Sequence, residues 1–173
     1  VVERGVNDGQ VLDLARHFRG TGVIVRFIEY MDVGTRNDWR PGLVVPSREI
    51  RGAIDGAFPL RALAPAQPGE VAERYAYADG AGEIGFISSV TQPFCGGCTR
   101  ARLSSDGVFY TCLFATAGTY FRALLRSGAD DAALRDRIRA VWRRREDRYS
   151  ELRRLSADGA KPHNIKMYYF GGL

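Results

Sequence analysis

Apolar positions in the first third of the chain follow two different periods. Val11, Leu12, Leu14, Ala15 and Phe18 recur at helical spacing behind Asn7-Asp8, which reads as a helix N-cap, and Gly20 supplies the stop. Val23-Ile24-Val25-Arg26-Phe27-Ile28 is almost continuously apolar. That is the pattern of a strand buried on both faces, as in parallel sheets. Val1-Val2-Glu3-Arg4-Gly5 has no initiator Met and reads as the end of a strand already in progress. Strand, helix and strand then make a βαβ unit. Its natural parent is an α/β barrel of the TIM type, with chemistry at the carboxyl ends of the strands. Here that end is Glu29-Tyr30-Met31-Asp32-Val33-Gly34.

Further on the pattern changes. Ser47 is expected to cap a short helix reaching Ala57, and Ala64 to Gly69 reads as a loop. Two β-like runs, 71–77 and 83–90, meet at the turn signal Asp79-Gly80. Ala132, Leu134, Ile138, Val141 and Trp142 predict an amphipathic helix over 130–145, and Ile165 to Phe170 is strand-like. Trp142 and the aromatics from Tyr168 to Phe170 suit packing. The expected fold is therefore α/β over residues 1–45, the end of an incomplete barrel. An α+β extension of antiparallel hairpins and helices follows over 46–173.

Composition narrows the class. With 173 residues, 45% of them hydrophobic, the chain can bury a core. No stretch nears the ~20 apolar residues that span a bilayer, so no membrane role is expected. A net charge of +5 suggests an anionic partner, although the arginines from Arg135 to Arg154 read as a solvated helix face. Three cysteines, an odd number, suit a reduced cytoplasmic metal site better than a secreted disulfide scaffold.

Cys95-Gly96-Gly97-Cys98 can chelate one centre, the glycines letting the chain curl around it. Cys112 returns toward this pair if the segment between Cys98 and Cys112 folds back as a hairpin. A two-residue loop at Asp106-Gly107 would oppose Cys112 to Ala101. A three-residue loop, Ser105-Asp106-Gly107 with Gly107 left-handed, opposes it to Arg100 and gathers Cys98, Arg100, Arg102 and Cys112 on one side. Convergence of the three cysteines selects the second. Spacing alone fits either a cluster with an open iron or a zinc site completed by His163. Arg100 and Arg102 beside the thiols offer forked donors for phosphate. Arg26, inside an apolar strand, either faces a cavity that receives anions or is buried against a protein carboxylate.

The run Phe94-Cys95-Gly96-Gly97-Cys98-Thr99-Arg100-Ala101-Arg102-Leu103-Ser104-Ser105-Asp106-Gly107, with Cys112-Leu113-Phe114, resembles the GTP 3′,8-cyclases of molybdenum cofactor biosynthesis. Arg4 to Asp8, Arg26 to Gly34, Trp39, Val44-Val45-Pro46 and the terminal Gly171-Gly172 match as well. The resemblance implies a radical S-adenosylmethionine enzyme. One [4Fe–4S] cluster, on a CxxxCxxC motif not found in these residues, cleaves S-adenosyl-L-methionine to a 5′-deoxyadenosyl radical. A second [4Fe–4S] cluster binds the guanine of GTP. By resemblance Cys95, Cys98 and Cys112 hold this second cluster, Arg100, Arg102 and Arg26 bind GTP, and Met31 lines the S-adenosylmethionine site. Gly171 and Gly172 enter the active site, where Leu173 extends past the family's usual end. The resemblance further implies a homodimer, a cytoplasmic location, and cyclic pyranopterin monophosphate synthase as the next enzyme. It implies that these residues hold substrate without catalysing alone. The competing reading is a non-catalytic zinc- or cluster-stabilised nucleic-acid-binding module. Arginines inside the ligand hairpin, instead of spread over a surface, speak against nucleic acid.

Overall fold

In the computed structural model, residues 1–33 and 39–152 are described. The chain divides into two compact units of mixed α/β character, one formed by Val1–Asp32 with Trp39–Cys98 and the other by Val33–Asp38 with Thr99–Leu173.

The first unit is built on a four-stranded sheet ordered β1-β4-β3-β2, with β1 Val25–Ile28, β2 Leu60–Ala62, β3 Glu73–Tyr77 and β4 Glu83–Ile87. β1 runs parallel to β4, whereas β3 is antiparallel to both β4 and β2. Val2 forms a single parallel bridge to Glu29, so the expected strand end, helix and strand are present around α1, Val11–Phe18. Val11 and Ala15 of α1 pack with Ile50 and Ile54 of α2, Ser47–Ala57. Both pairs are four residues apart and so share a helix face. They meet Phe27, Tyr77, Ile84 and Phe86 in one core.

The local signals differ from expectation in three places. Val23 and Ile24 are 52% and 47% exposed, Arg26 is exposed, and only Phe27 of β1 is buried. The strand is thus not covered on both faces. Among the described residues its one strand neighbour besides β4 is the Val2 bridge, and period-two alternation turns Phe27 to the core and Arg26 away. Asn7 does not cap α1: its side chain accepts from Glu3 N (2.9 Å) and donates to Val1 O (2.9 Å), and a 3-10 turn, Asp8–Gln10, intervenes. Ser47 is the first residue of α2 and caps nothing, because Pro46 occupies the cap position. β2 carried no periodic signal, being three residues long.

The second unit has a three-stranded sheet, β5 Arg102–Leu103, β6 Val108–Tyr110 and β7 Thr119–Tyr120, followed by α3 Arg122–Arg126, α4 Asp131–Arg143 and α5 Tyr149–Leu152. The predicted helix over 130–145 is α4, and Asp130 caps it by accepting from Ala133 N at 2.8 Å. The expected tail strand, His163, Gly171 and Gly172 lie outside the described residues. Among the described residues no helix is long and apolar enough to cross a membrane.

The tip of the β5–β6 hairpin shows why one glycine is required. Gly107 has φ +83°, and a Cβ there would lie 2.9 Å from Arg122 Cβ and 3.2 Å from its Cα. Gly107→Ala is expected to destabilise the protein by about 2 kcal/mol in urea unfolding, since a left-handed backbone alone disfavours an L-residue by about 1–2 kcal/mol. Gly96→Ala is the control: a Cβ at Gly96 meets nothing within 4 Å, and the shift should stay within about 0.5 kcal/mol.

Candidate metal centre

The residues singled out for metal chemistry come from both units. In the first unit, Cys95 and Cys98 bracket a tight turn closed by Cys98 N donating to Cys95 O at 3.2 Å. Such a turn brings its two ends to one side of the chain. Neither Gly96 nor Gly97 has positive φ, and a Cβ on either would meet no atom within 4 Å. The curl between the thiols therefore does not need glycine conformations. None of the three cysteines is in a disulfide, and all three are half-buried.

The segment leading into this turn is held by a buried carboxylate. Glu29 is 0% exposed, and its Oε1 accepts from Ser47 N (2.8 Å) and Thr91 Oγ1 (2.6 Å) while Oε2 accepts from Val90 N and Thr91 N (both 2.8 Å). Its backbone adds Glu29 N to Ile87 O (3.2 Å) and accepts from Ser89 Oγ (3.4 Å). At the strand end Glu29 thus ties down three backbone N–H groups. Its charge also sits at the amino terminus of α2, which favours an anion. Met31 is half-buried two residues further on, and Trp39 Nε1 donates to Tyr30 O at 2.8 Å.

Arg26 lies opposite Gly85 in the parallel pair, and a Cβ added to Gly85 would come within 3.2 Å of Arg26 Cγ. The arginine stem thus lies across the space that Gly85 leaves. Of the two expectations for Arg26, burial against a protein carboxylate fails. Arg26 is exposed, and it makes no ion pair among the described residues. A solvated guanidinium escapes the desolvation penalty that made an internal partner necessary.

In the second unit the hairpin register is the three-residue one. Arg102 pairs with Tyr110 and Leu103 with Phe109, Ser104 N donates to Val108 O (2.9 Å), and Ser105-Asp106-Gly107 forms the loop. The ladder stops at Arg102 and Tyr110, which are directly opposed and so share a face, while Thr111 and Cys112 follow in a bend. Carried outward, the same register would oppose Arg100 to Cys112. Val108, Tyr110 and Ala115 form a small core there, with Cys112 packed against it. Gly118 fits beneath, since a Cβ would lie 2.5 Å from Val108 Cγ1 and 2.7 Å from Tyr110 Cε1.

Sequence reasoning missed the brace behind Cys112. Arg145, placed by charge pattern on a solvated face, has a side chain only 11% exposed. Its Nε donates to Thr111 O (3.1 Å) and lies 3.4 Å from Asp147 Oδ2, which in turn accepts from Thr111 Oγ1 (2.5 Å). Phe114 stacks on Tyr149 with ring centroids 4.4 Å apart. The residues flanking Cys112 are therefore held from the far end of α4. Arg135, Arg137, Arg139, Arg143 and Arg144 are exposed, as the charge pattern led one to expect. Only the coincidence of Arg145, Asp147 and an aromatic beyond the helix end hinted at the brace.

By donor chemistry three thiols outside any disulfide suit a soft metal centre. Phe114 N donates to Cys112 Sγ at 3.4 Å, the kind of hydrogen bond that tunes a ligating thiolate. Among the described residues no three His, Cys, Asp or Glu side chains are gathered closely enough to hold a metal ion.

Residues 23–151 match the Molybdenum Cofactor Synthesis C family. The chain is 53% identical over 165 residues to a GTP 3′,8-cyclase of Acidothermus cellulolyticus, covering 93% of this chain and 46% of that protein. It is 51% identical over 172 residues to one of Xanthomonas axonopodis pv. citri, covering 99% and 50%. A GTP 3′,8-cyclase of Staphylococcus saprophyticus is 43% identical over 174 residues, covering 99% and 51%. The chain thus spans about half the length of the curated relatives it matches.

The brace yields a direct test. Asp147→Ala removes the acceptor of Thr111 Oγ1 and the carboxylate beside Arg145. It should lower stability by about 1–3 kcal/mol. Alkylation of Cys112 should accelerate while Cys95 and Cys98 keep their rates, measured by mass spectrometry of quenched samples. Equal rates at all three thiols before and after would show that the brace does not reach Cys112.

Proposed function

This chain belongs to the Molybdenum Cofactor Synthesis C family, and from that premise we propose that it forms the substrate-holding part of a GTP 3′,8-cyclase. The proposed reaction converts GTP, with S-adenosyl-L-methionine, to (8S)-3′,8-cyclo-7,8-dihydroguanosine 5′-triphosphate. In this reading Cys95, Cys98 and Cys112 hold a [4Fe–4S] cluster. Once bound, the cluster offers an iron that three thiolates leave open to a heteroatom of the guanine base.

The observation that carries the reading is the hairpin register, which supports a shared face for Arg100, Arg102 and Cys112. Forked guanidinium donors on the ligand hairpin can take phosphate oxygens bidentately at a short, fixed separation from the thiol. Arg26, exposed and without an ion pair among the described residues, supports a third cationic contact. The new bond joins ribose C3′ to guanine C8, so the base and the triphosphate must be fixed with the ribose between them. Holding both ends converts a flexible nucleotide into a near-attack geometry, a gain that proximity alone can make large. Met31, at the end of β1, is assigned to the S-adenosylmethionine side. The parallel Val2–Glu29 bridge across α1 supports residues 1–45 as the close of a barrel. Gly171 and Gly172 are assigned to the active site, and the working unit to a homodimer.

Anaerobic reconstitution with iron and sulfide tests the proposal. Expected are about four irons bound through these three cysteines, iron–sulfur absorption, and an electron paramagnetic resonance signal that shifts when GTP is added. Cys112→Ala should abolish the signal. Arg102→Ala should weaken the GTP response more than the response to guanosine. These 173 residues hold three cysteines and no CxxxCxxC, so they are expected to bind GTP without converting it. Retained zinc, with no iron–sulfur absorption, would decide for the zinc module instead.

A further inference from the structure

We propose that Glu29 is a positioning residue that fixes the Cys95–Cys98 turn and the Met31 strand end to one anchor. The inference rests on the reading just given and adds a residue that touches neither thiol nor substrate.

A fully buried carboxylate is costly unless its oxygens are satisfied, and Glu29 is satisfied entirely by neutral donors. Those donors come from two segments far apart in sequence, residue 47 at the start of α2 and residues 90–91 after β4. Glu29 itself ends β1. Three elements therefore converge on one side chain. Only three residues separate Thr91 from Cys95, and Pro93 stiffens that stretch by fixing its own φ. On its other side Glu29 is two residues from Met31. A hydrophobic residue of similar volume would fill the space yet leave the N–H groups of Ser47, Val90 and Thr91 unpaired, each an expensive loss. Packing alone therefore does not account for a carboxylate here. Its function is to hold backbone donors, and the backbone it holds is the base of the thiol turn.

The test uses the reconstituted holo protein. Glu29→Gln preserves volume but turns one acceptor oxygen into an amide group facing donors. Its folded state should persist by circular dichroism. The apparent GTP affinity, read from the GTP-induced resonance shift and normalised to iron content, should fall about tenfold, as for other supports of ligating residues. Thr91→Val, which deletes the hydroxyl donor, should shift in the same direction by less, and Thr91→Ser should restore the wild-type response. A folded Glu29→Gln protein with the wild-type GTP response overturns the proposal. Should Glu29→Gln fail to fold, the Thr91 pair decides, and identical responses from Thr91→Val and Thr91→Ser overturn it. A wild-type protein with no cluster signal, or none that responds to GTP, overturns the functional reading and this inference with it. A normal wild type beside an unaltered variant removes this inference only.

Discussion

The first unit depends on a negative charge held out of water. Among the described residues Glu29 has no cation against it, and its oxygens accept from three backbone N–H groups and one hydroxyl. Such an arrangement is strongly geometric. Hydrogen bonds to a charged acceptor in a low-dielectric interior weaken quickly when a donor drifts. The end of β1, the first turn of α2 and the bend after β4 thus have little freedom to move separately. The absence of a side-chain cap at Pro46 follows from the same fact, because the helix terminus receives its acceptor from another strand.

The hydrophobic core supplies the complementary, non-directional part. Val11, Ala15, Ile50 and Ile54 press the two helices onto Phe27, Ile84 and Phe86, and this packing sets the plane from which β1 and β4 emerge in parallel. Both strands end at the same edge, since Ile28 pairs with Ile87. The residues with chemistry to perform, Met31 on one chain segment and Cys95 on the other, follow those ends. Core and carboxylate act at different points along the same strands: the core fixes which face is inside, and Glu29 fixes where the segments beyond the strands start.

Much of this was legible in the sequence, for reasons that differ from residue to residue. Helices α1 and α4 were visible because their apolar spacing is local and periodic, whereas α2 was expected from a cap at Ser47 that does not form. The hairpin register could be derived because only one loop length puts Cys112 opposite Arg100, and Gly107 stands where that loop needs a left-handed residue. The cover on β1 was misjudged because a run of apolar residues says that a strand exists, but not whether both of its faces are covered. Arg145 was misjudged, and the role of Glu29 went unread, for a common reason. A charged side chain reads as exposed or functional, and its burial depends on donors 18 to 62 residues away for Glu29 and on an acceptor 34 residues away for Arg145. No local window contains that information. β2, with three residues, exists only because β3 offers it an edge.

The glycines divide into two kinds. At Gly107 and Gly118 a single added carbon would strike neighbouring atoms, so the polypeptide itself enforces the residue. Between the thiols it does not: Gly96 and Gly97 face open space in ordinary backbone conformations. Drift at those two positions would leave the fold untouched. Invariance there among related chains would therefore be a mark left by what the thiols grip, a record of selection on cargo and not on architecture.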